Sequence, residues 1–146
     1  MKQIRLLIQL FPKGLSKIIM NNKIFVGIDF GKKSGIAKAN SLVKVAYPLT
    51  IAQTFQDVVK AINEIKPNLL IVGWPKLLSG KEGLECERVK SRLNALSNAL
   101  TFKIDYILQD ERFSSKFLKT KHKTDADSAA WILQNFLDSK KIEDYL

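Results

Sequence analysis

From Lys23 onward the hydrophobic and polar positions fall into clear periods. Ile24, Val26 and Ile28 share one face and Phe25, Gly27 and Asp29 the other, which predicts a strand with an acid at its C-terminal end. Gly31-Lys32-Lys33-Ser34-Gly35 reads as a turn. Ile36–Ala39 and Leu42–Tyr47 read as two further strands of an antiparallel meander. The period then changes: Phe55, Val58, Val59, Ile62 and Ile65 form one helical stripe, which Pro67 stops. Leu69–Val72 is wholly apolar, as expected of a strand buried on both faces, and Gly73-Trp74-Pro75 closes it. Gly83–Leu100 predicts a long helix with Val89, Leu93, Leu96 and Leu100 inward. Phe102–Leu108 predicts another strand and Ser114–Lys119 a short helix. Thr124 reads as the N-cap of a last helix to about Ser139, with Ala129, Ile132, Leu133 and Phe136 on one face.

Three strands come first, then helix, strand, helix, strand and helices. Alternation in the second half calls for parallel pairing. The expected fold class is therefore α/β: a mixed five-stranded sheet with helices on both faces, an RNase H-like architecture. It occupies residues 23–146, after a basic N-terminal extension, residues 1–22. Met1–Met20 carry Lys2, Arg5, Lys13 and Lys17 and no acid, with Ile4, Leu7, Ile8 and Phe11 at helical spacing before Pro12. Three readings fit: a native arm that touches RNA or a membrane surface, an organellar transit peptide, or translation starting at Met20. A secretory signal fits poorly, because Gln9 interrupts the apolar stretch and no small-residue cleavage site follows. No apolar run approaches membrane-spanning length.

The 146 residues make one domain, and 46% hydrophobic with 26% charged residues is ordinary for a folded chain, which excludes a mainly disordered one. The net charge of +10 adds something the pattern does not: it suggests a polyanionic partner, nucleic acid before an anionic membrane, with a merely solubilising surface as the plain alternative. The single cysteine, Cys86, forms no internal disulfide and reads as an ordinary helix residue. With one histidine, His122, there is no Cys/His set for structural zinc. A reducing, cytoplasmic home fits best.

The chemistry lies in where the acids fall. Asp29 ends the first strand, Asp110-Glu111 follow the strand Phe102–Leu108 and precede Arg112, and Asp125 and Asp127 open the last helix. In an RNase H-like layout these positions converge on one sheet edge, where carboxylates can hold Mg²⁺. Two such ions activate a water and stabilise the leaving oxygen of a phosphodiester. Each acid also has a plain role: Asp29 in an Asx-turn before Gly31, Asp-Glu-Arg as a surface ion pair, Asp125 and Asp127 as helix N-terminal acids. Trp74 and Trp131 read as packing residues rather than base-stacking platforms. The run Lys116, Lys119, Lys121, His122 and Lys123 is either a solvated loop or a grip on a phosphate backbone.

Four stretches together resemble a known family: Gly27-Ile28-Asp29-Phe30-Gly31-Lys32-Lys33 with Gly35-Ile36-Ala37; Ile71-Val72-Gly73-Trp74-Pro75 with Gly80; Asp110-Glu111-Arg112-Phe113-Ser114-Ser115; and Asp125 through Ala129-Ala130 to Ile132-Leu133-Gln134. In this order, over Lys23–Leu137, they resemble the YqgF (RuvX) family of pre-16S rRNA nucleases, described earlier as Holliday-junction-resolvase-like proteins. The resemblance implies an RNase H-like fold, a cytoplasmic bacterial origin, Mg²⁺- or Mn²⁺-dependent nuclease chemistry and maturation of the 5′ end of 16S rRNA. By motif, Asp29, Glu111 and Asp125 match the family's catalytic and metal-binding acids. Asp110 and Arg112 come with the same motif, and Ser115 matches the hydroxyl position that follows it; beside them, Lys32 and Lys33 next to the acids in sequence and Lys121 and Lys123 of the basic run complete the candidate nucleic-acid contacts. The spacing of Asp125 to Ala129 and Leu133 matches the family, with Asp127 the alternative if the helix is offset by one turn. The chain departs from the pattern in three places. Its first turn is one residue shorter, Ser79 stands where an acid often precedes the glycine, and the segment between Arg112 and Asp125 is shorter.

The function expected is a metal-dependent nuclease acting on precursor 16S rRNA, as a monomer or homodimer, with no stable membrane association. Two alternatives stand beside it: a structure-specific endonuclease resolving branched DNA of the Holliday-junction type, and a catalytically weakened RNA-binding module.

Overall fold

A computed structural model describes residues 12, 14–15, 21–111 and 125–146. The N-terminal arm, apart from those few positions, lies outside the described residues. So do the helix Ser114–Lys119 and the cap Thr124. Five strands form a single sheet: β1 (Ile24–Asp29), β2 (Ser34–Asn40), β3 (Tyr47–Ala52), β4 (Leu69–Trp74) and β5 (Asp105–Asp110). Three helices accompany them, α1 (Phe55–Ile65), α2 (Leu84–Ala99) and α3 (Asp125–Leu137), and a 3₁₀ segment, Lys140–Tyr145, comes last.

The strand order is β3-β2-β1-β4-β5. β1 pairs antiparallel with β2 and parallel with β4, and β4 pairs parallel with β5. This is the mixed, RNase H-like sheet the element order predicts. β4 sits among the parallel strands with all six residues buried, in keeping with its unbroken apolar run. One face carries α1 and α2, through Val58, Val59, Ile62, Cys86, Val89, Leu93 and Leu96 against Val26, Ile28, Leu70 and Val72. The other carries α3 and the 3₁₀ segment, through Ala129, Ile132, Leu133, Phe136 and Ile142 against Phe25, Ala37, Leu69 and Ile71. Cys86 and Trp74 are buried packing residues, as read from sequence. Among the described residues no helix is long and apolar enough to cross a membrane.

α1 has the predicted bounds for local reasons. Thr54 Oγ1 accepts from the Asp57 amide and Asp57 Oδ2 accepts from the Thr54 amide, a reciprocal cap. Lys66 ends the helix in the left-handed region at φ 50°, and Pro67 forbids continuation.

Two strands are displaced from expectation, and two are longer: β2 takes in Ser34 and Gly35 of the expected turn and ends at Asn40, and β4 runs on to Trp74. The third lies at Tyr47–Ala52 rather than Leu42–Tyr47. Asn40 Oδ1 accepts from the Leu42 and Val43 amides, and the Lys44 amide donates to the Asn40 carbonyl with Lys44 at φ 56°. These bonds commit 40–44 to a turn although its side chains look strand-like. Gln134 ties the end of this turn to α3, accepting from the Ala46 amide and donating to the Lys44 carbonyl. Pro48 is tolerated because β3 is an edge strand with a register shift opposite Ile36/Ala37. The fifth strand lies at Asp105–Asp110 rather than Phe102–Leu108. Its parallel register begins at Leu69↔Asp105, while Phe102 and Ile104 pack on the core from the connection. The same pairing carries β4 on through Gly73 and Trp74, opposite Gln109 and Asp110.

Candidate active site

The parallel strands β1, β4 and β5 all run to one edge of the sheet, the edge where α/β sheets bind ligands. Asp29 is the last residue of β1 and lies opposite Gly35 of β2. α3 crosses the same face and begins at Asp125. What lets it come close is glycine: a Cβ on Gly35 would stand 1.7 Å from the Asp125 carbonyl oxygen and 2.7 Å from the Ala126 amide nitrogen. Gly27 does the same one helical turn on, where a Cβ would lie 2.7 Å from the Ala129 carbonyl oxygen. The start of α3 is thereby pressed onto the β1–β2 pair beside Asp29.

β5 delivers the second acid. The Glu111 amide donates to the Trp74 carbonyl at 3.3 Å, which continues the pairing one step past β5. The Glu111 side chain then folds back over β4. A Cβ on Gly73 would be 2.8 Å from Glu111 Oε2 and 2.7 Å from Ile132 Cδ1. In sequence Gly73 is punctuation at a strand end, whereas in the structure it is the floor under Glu111.

The electrostatics record how near these groups are. Burial, and after it the charge of Asp125, raises the Asp29 carboxyl to about 6. Burial, then Asp29, then Asp110, raises Glu111 to about 7. Asp29 and Glu111 are thus partly buried carboxyls that keep their protons to higher pH than ordinary carboxyls, and they repel one another when ionised. Asp125 is exposed at the first position of α3, and it is Asp125 rather than Asp127 whose charge acts on Asp29. Among the described residues, no group of three or more His, Cys, Asp or Glu side chains is arranged to hold a metal ion together.

Of the sequence-predicted residues, Asp29, Glu111 and Asp125 meet at this edge. Lys32 and Lys33 are exposed on the turn directly after Asp29. Arg112, Ser115, Lys121 and Lys123 lie outside the described residues, as does His122. The loop beyond β4 borders the edge. It is drawn together by the Leu77 amide donating to the Lys81 carbonyl and by Trp74 Nε1 donating to Glu82 Oε1, with Gly80 at φ 88°. One residue escapes the motifs altogether: Gln109, beside Gly73 on β5, whose Oε1 is buried with no hydrogen-bond partner among the described residues. The signal available in sequence was a polar residue facing α3 two places after Ile107, where the apolar alternation should continue.

Comparison with known proteins bears on family and fold. Residues 23–139 match a family model described as "RuvX: Holliday junction resolvase". A protein of Paraburkholderia xenovorans named "Putative pre-16S rRNA nuclease" is 35% identical over 128 residues, covering 77% of this chain and 86% of that one. A protein of Ehrlichia canis with the same name is 32% identical over 145 residues, covering 86% and 92%. Among solved structures, Thermus thermophilus RuvC superposes with a TM-score of 0.51 at 12% identity, covering 78% of this chain and 93% of that one. The same protein in complex with a Holliday junction substrate gives 0.52 at 14% identity, covering 79% and 93%. At such identities the RuvC structures speak for the fold.

Proposed function

The chain belongs to the RuvX family, and on that premise we propose that it is a divalent-metal-dependent nuclease that processes the 5′ end of pre-16S rRNA in ribosome biogenesis. The nuclease relatives and the RNase H-like fold make it a phosphodiester-cleaving hydrolase. The observation that carries the reading is the meeting of Asp29, Glu111 and Asp125 at one sheet edge in a chain of net charge +10.

The residues present fit a hard cation. Their donors are all oxygen, which suits Mg²⁺ or Mn²⁺ rather than zinc. Mg²⁺ does not need a cage of three protein ligands: it is commonly held by one or two carboxylates, with water and substrate phosphate oxygens filling the other positions. Asp29 and Glu111 would hold it, with Asp125 at the rim. When bound, the cation supplies an activated water and positive charge for the leaving oxygen of a phosphodiester. Asp29 and Glu111 must shed their protons to bind it, and their raised values place that exchange just below neutral pH. Gly73 leaves the room in which Glu111 lies, and the start of α3 keeps Asp125 against the β1–β2 pair. Lys32 and Lys33 meet the phosphate backbone beside the scissile bond, with Arg112, Ser115, Lys121 and Lys123 as further contacts, so binding weakens as salt rises. The work is cytoplasmic, residues 23–146 form the nuclease domain, and residues 1–22 are a basic extension.

The family description supports a second reading, cleavage of branched DNA, for which two symmetric nicks require a homodimer. The test is cleavage of a precursor 16S 5′-end RNA beside a four-way DNA junction, with Mn²⁺ or EDTA, by wild type and Asp29→Asn. Metal-dependent cutting of the RNA that the variant loses is the expected result. Cutting of the junction alone selects the second reading. RNA binding without cleavage at any Mg²⁺ or Mn²⁺ concentration makes the chain a binding module.

A further inference from the structure

Gln109 presents a buried acceptor that no described residue satisfies. Its Oε1 has no hydrogen-bond partner among the described residues. Burying a carbonyl oxygen without a donor is unfavourable, and native proteins tolerate it mainly where something else is to bind. The position of Gln109 says what. In the β4–β5 register it is the direct neighbour of Gly73, and the two project to the same face of the sheet, the face α3 covers. Parallel neighbours stand about 4.8 Å apart. The space over Gly73 is where the Glu111 carboxylate lies, with Oε2 2.8 Å from the point a Cβ would occupy. The Gln109 side chain therefore leaves the sheet alongside Glu111, at the edge that also holds Asp29 and Asp125.

We propose that Gln109 is a further residue of the cation site, giving a neutral oxygen to the hydrated divalent ion beside Glu111. This rests on the metal-dependent reading above and extends its donor set. Neutrality is what the location calls for. Asp29, Asp110, Glu111 and Asp125 already crowd the edge with negative charge, and another buried carboxylate would deepen their repulsion, whereas an amide oxygen adds a donor without adding charge. Oxygen partners just outside the primary ligands commonly change metal affinity by about 10–100-fold.

The test is Mn²⁺ binding to the full chain, followed by the electron paramagnetic resonance of free Mn²⁺, together with thermal unfolding in EDTA. Four proteins are compared: wild type, Gln109→Met, Gln109→Glu and Asp29→Asn. Gln109→Met keeps the length of the side chain and removes the acceptor. It is expected to bind Mn²⁺ about tenfold more weakly while melting in EDTA at the wild-type temperature or above, because an unpaired polar atom is gone. Gln109→Glu keeps an oxygen at the same reach and is expected to retain the Mn²⁺ binding that Gln109→Met loses, while the added charge lowers its melting temperature in EDTA; a loss of Mn²⁺ binding equal to that of Gln109→Met also overturns the proposal. Mn²⁺ affinity of Gln109→Met within twofold of wild type overturns the proposal. So does a lower melting temperature for Gln109→Met in EDTA, which would mean that Oε1 has a partner inside the protein. If wild type shows no Mn²⁺ binding that Asp29→Asn removes, the metal-dependent reading itself falls and this proposal with it. If that control holds and Gln109→Met matches wild type, this proposal alone falls.

Discussion

On the face covered by α1 and α2, bulky side chains set the spacing. Val58, Val59, Ile62, Val89, Leu93 and Leu96 stand between helix and sheet against Val26, Ile28, Leu70 and Val72. On the face covered by α3 the spacing near the site is set by side chains that are missing: Gly27 and Gly35 bring the helix backbone against the strands, and Gly73 leaves room for Glu111. Both faces bury apolar surface, and both stabilise the fold through it. Only the second face translates its packing into the positions of acids. A cavity on the α1/α2 face costs stability, whereas a methyl group on the α3 face moves the chemistry.

The largest effect that would separate the faces comes from a matched pair. Gly35→Ala sets a methyl group against the Asp125 carbonyl, backbone on backbone, where neither partner can rotate away. It is expected to cost ~3 kcal/mol in urea unfolding, the upper part of the overpacking range, and to abolish cleavage by the molecules that do fold. Leu93→Ala, fully packed on the other face, is expected to cost a similar ~3 kcal/mol through its cavity and to leave cleavage per folded molecule unchanged. Equal losses of activity per folded molecule would erase the distinction.

Gly73→Ala sharpens it with less damage. The new methyl group meets the ends of two mobile side chains, Ile132 and Glu111, so unfolding should shift by only ~1 kcal/mol. Cleavage should nevertheless fall steeply, with Mn²⁺ affinity falling in parallel, because Glu111 is what gives way.

Among the described residues, the carboxyls with raised values, Asp29 and Glu111, both lie on the α3 face. Asp29 at about 6 and Glu111 at about 7 lie above their ordinary values of 3.8 and 4.5, so between pH ~4 and ~7 the folded chain keeps protons that the unfolded chain has released. Their contribution is favourable below that window and is lost as pH rises through it. In EDTA the urea midpoint should therefore fall from pH 5 to pH 8, and Glu111→Gln should flatten the fall. Cleavage should move the opposite way, rising through pH 6–7 as the two carboxylates free themselves to bind metal. A wild-type midpoint that does not change over this range would mean the two acids are less buried than their positions require.

The smallest effect comes from the start of α1, on the α1/α2 face. Thr54→Ala removes the hydroxyl of the reciprocal cap on α1 and should cost ~1 kcal/mol, seen as a lower melting temperature, with cleavage untouched.

What was legible in the sequence was everything governed by neighbours a few residues apart. β1 and α1 have the bounds their periodicity predicts, and the apolar stripe of α3 is the stripe that is buried. The acids at strand ends and helix starts were visible as motifs, because turn and cap chemistry is local. The third strand was misplaced because Leu42, Val43 and Val45 carry a strand-like pattern on a segment that Asn40 holds in a turn and Gln134 holds from α3. The fifth was shifted because its start is set by register with β4, a pairing between residues over thirty positions apart. Tertiary structure also decided that Asp125 rather than Asp127 bears on Asp29, that Gly73 lies under Glu111, and that Gln109 stands beside it with a buried oxygen that has no partner among the described residues. Hydrophobic period and capping are encoded within a turn or two of chain, so they can be read along it. Strand register, the closeness of a helix to a sheet and the burial of a charge arise only when distant segments meet, and those meetings bring Asp29, Glu111 and Asp125 to one end of the parallel strands.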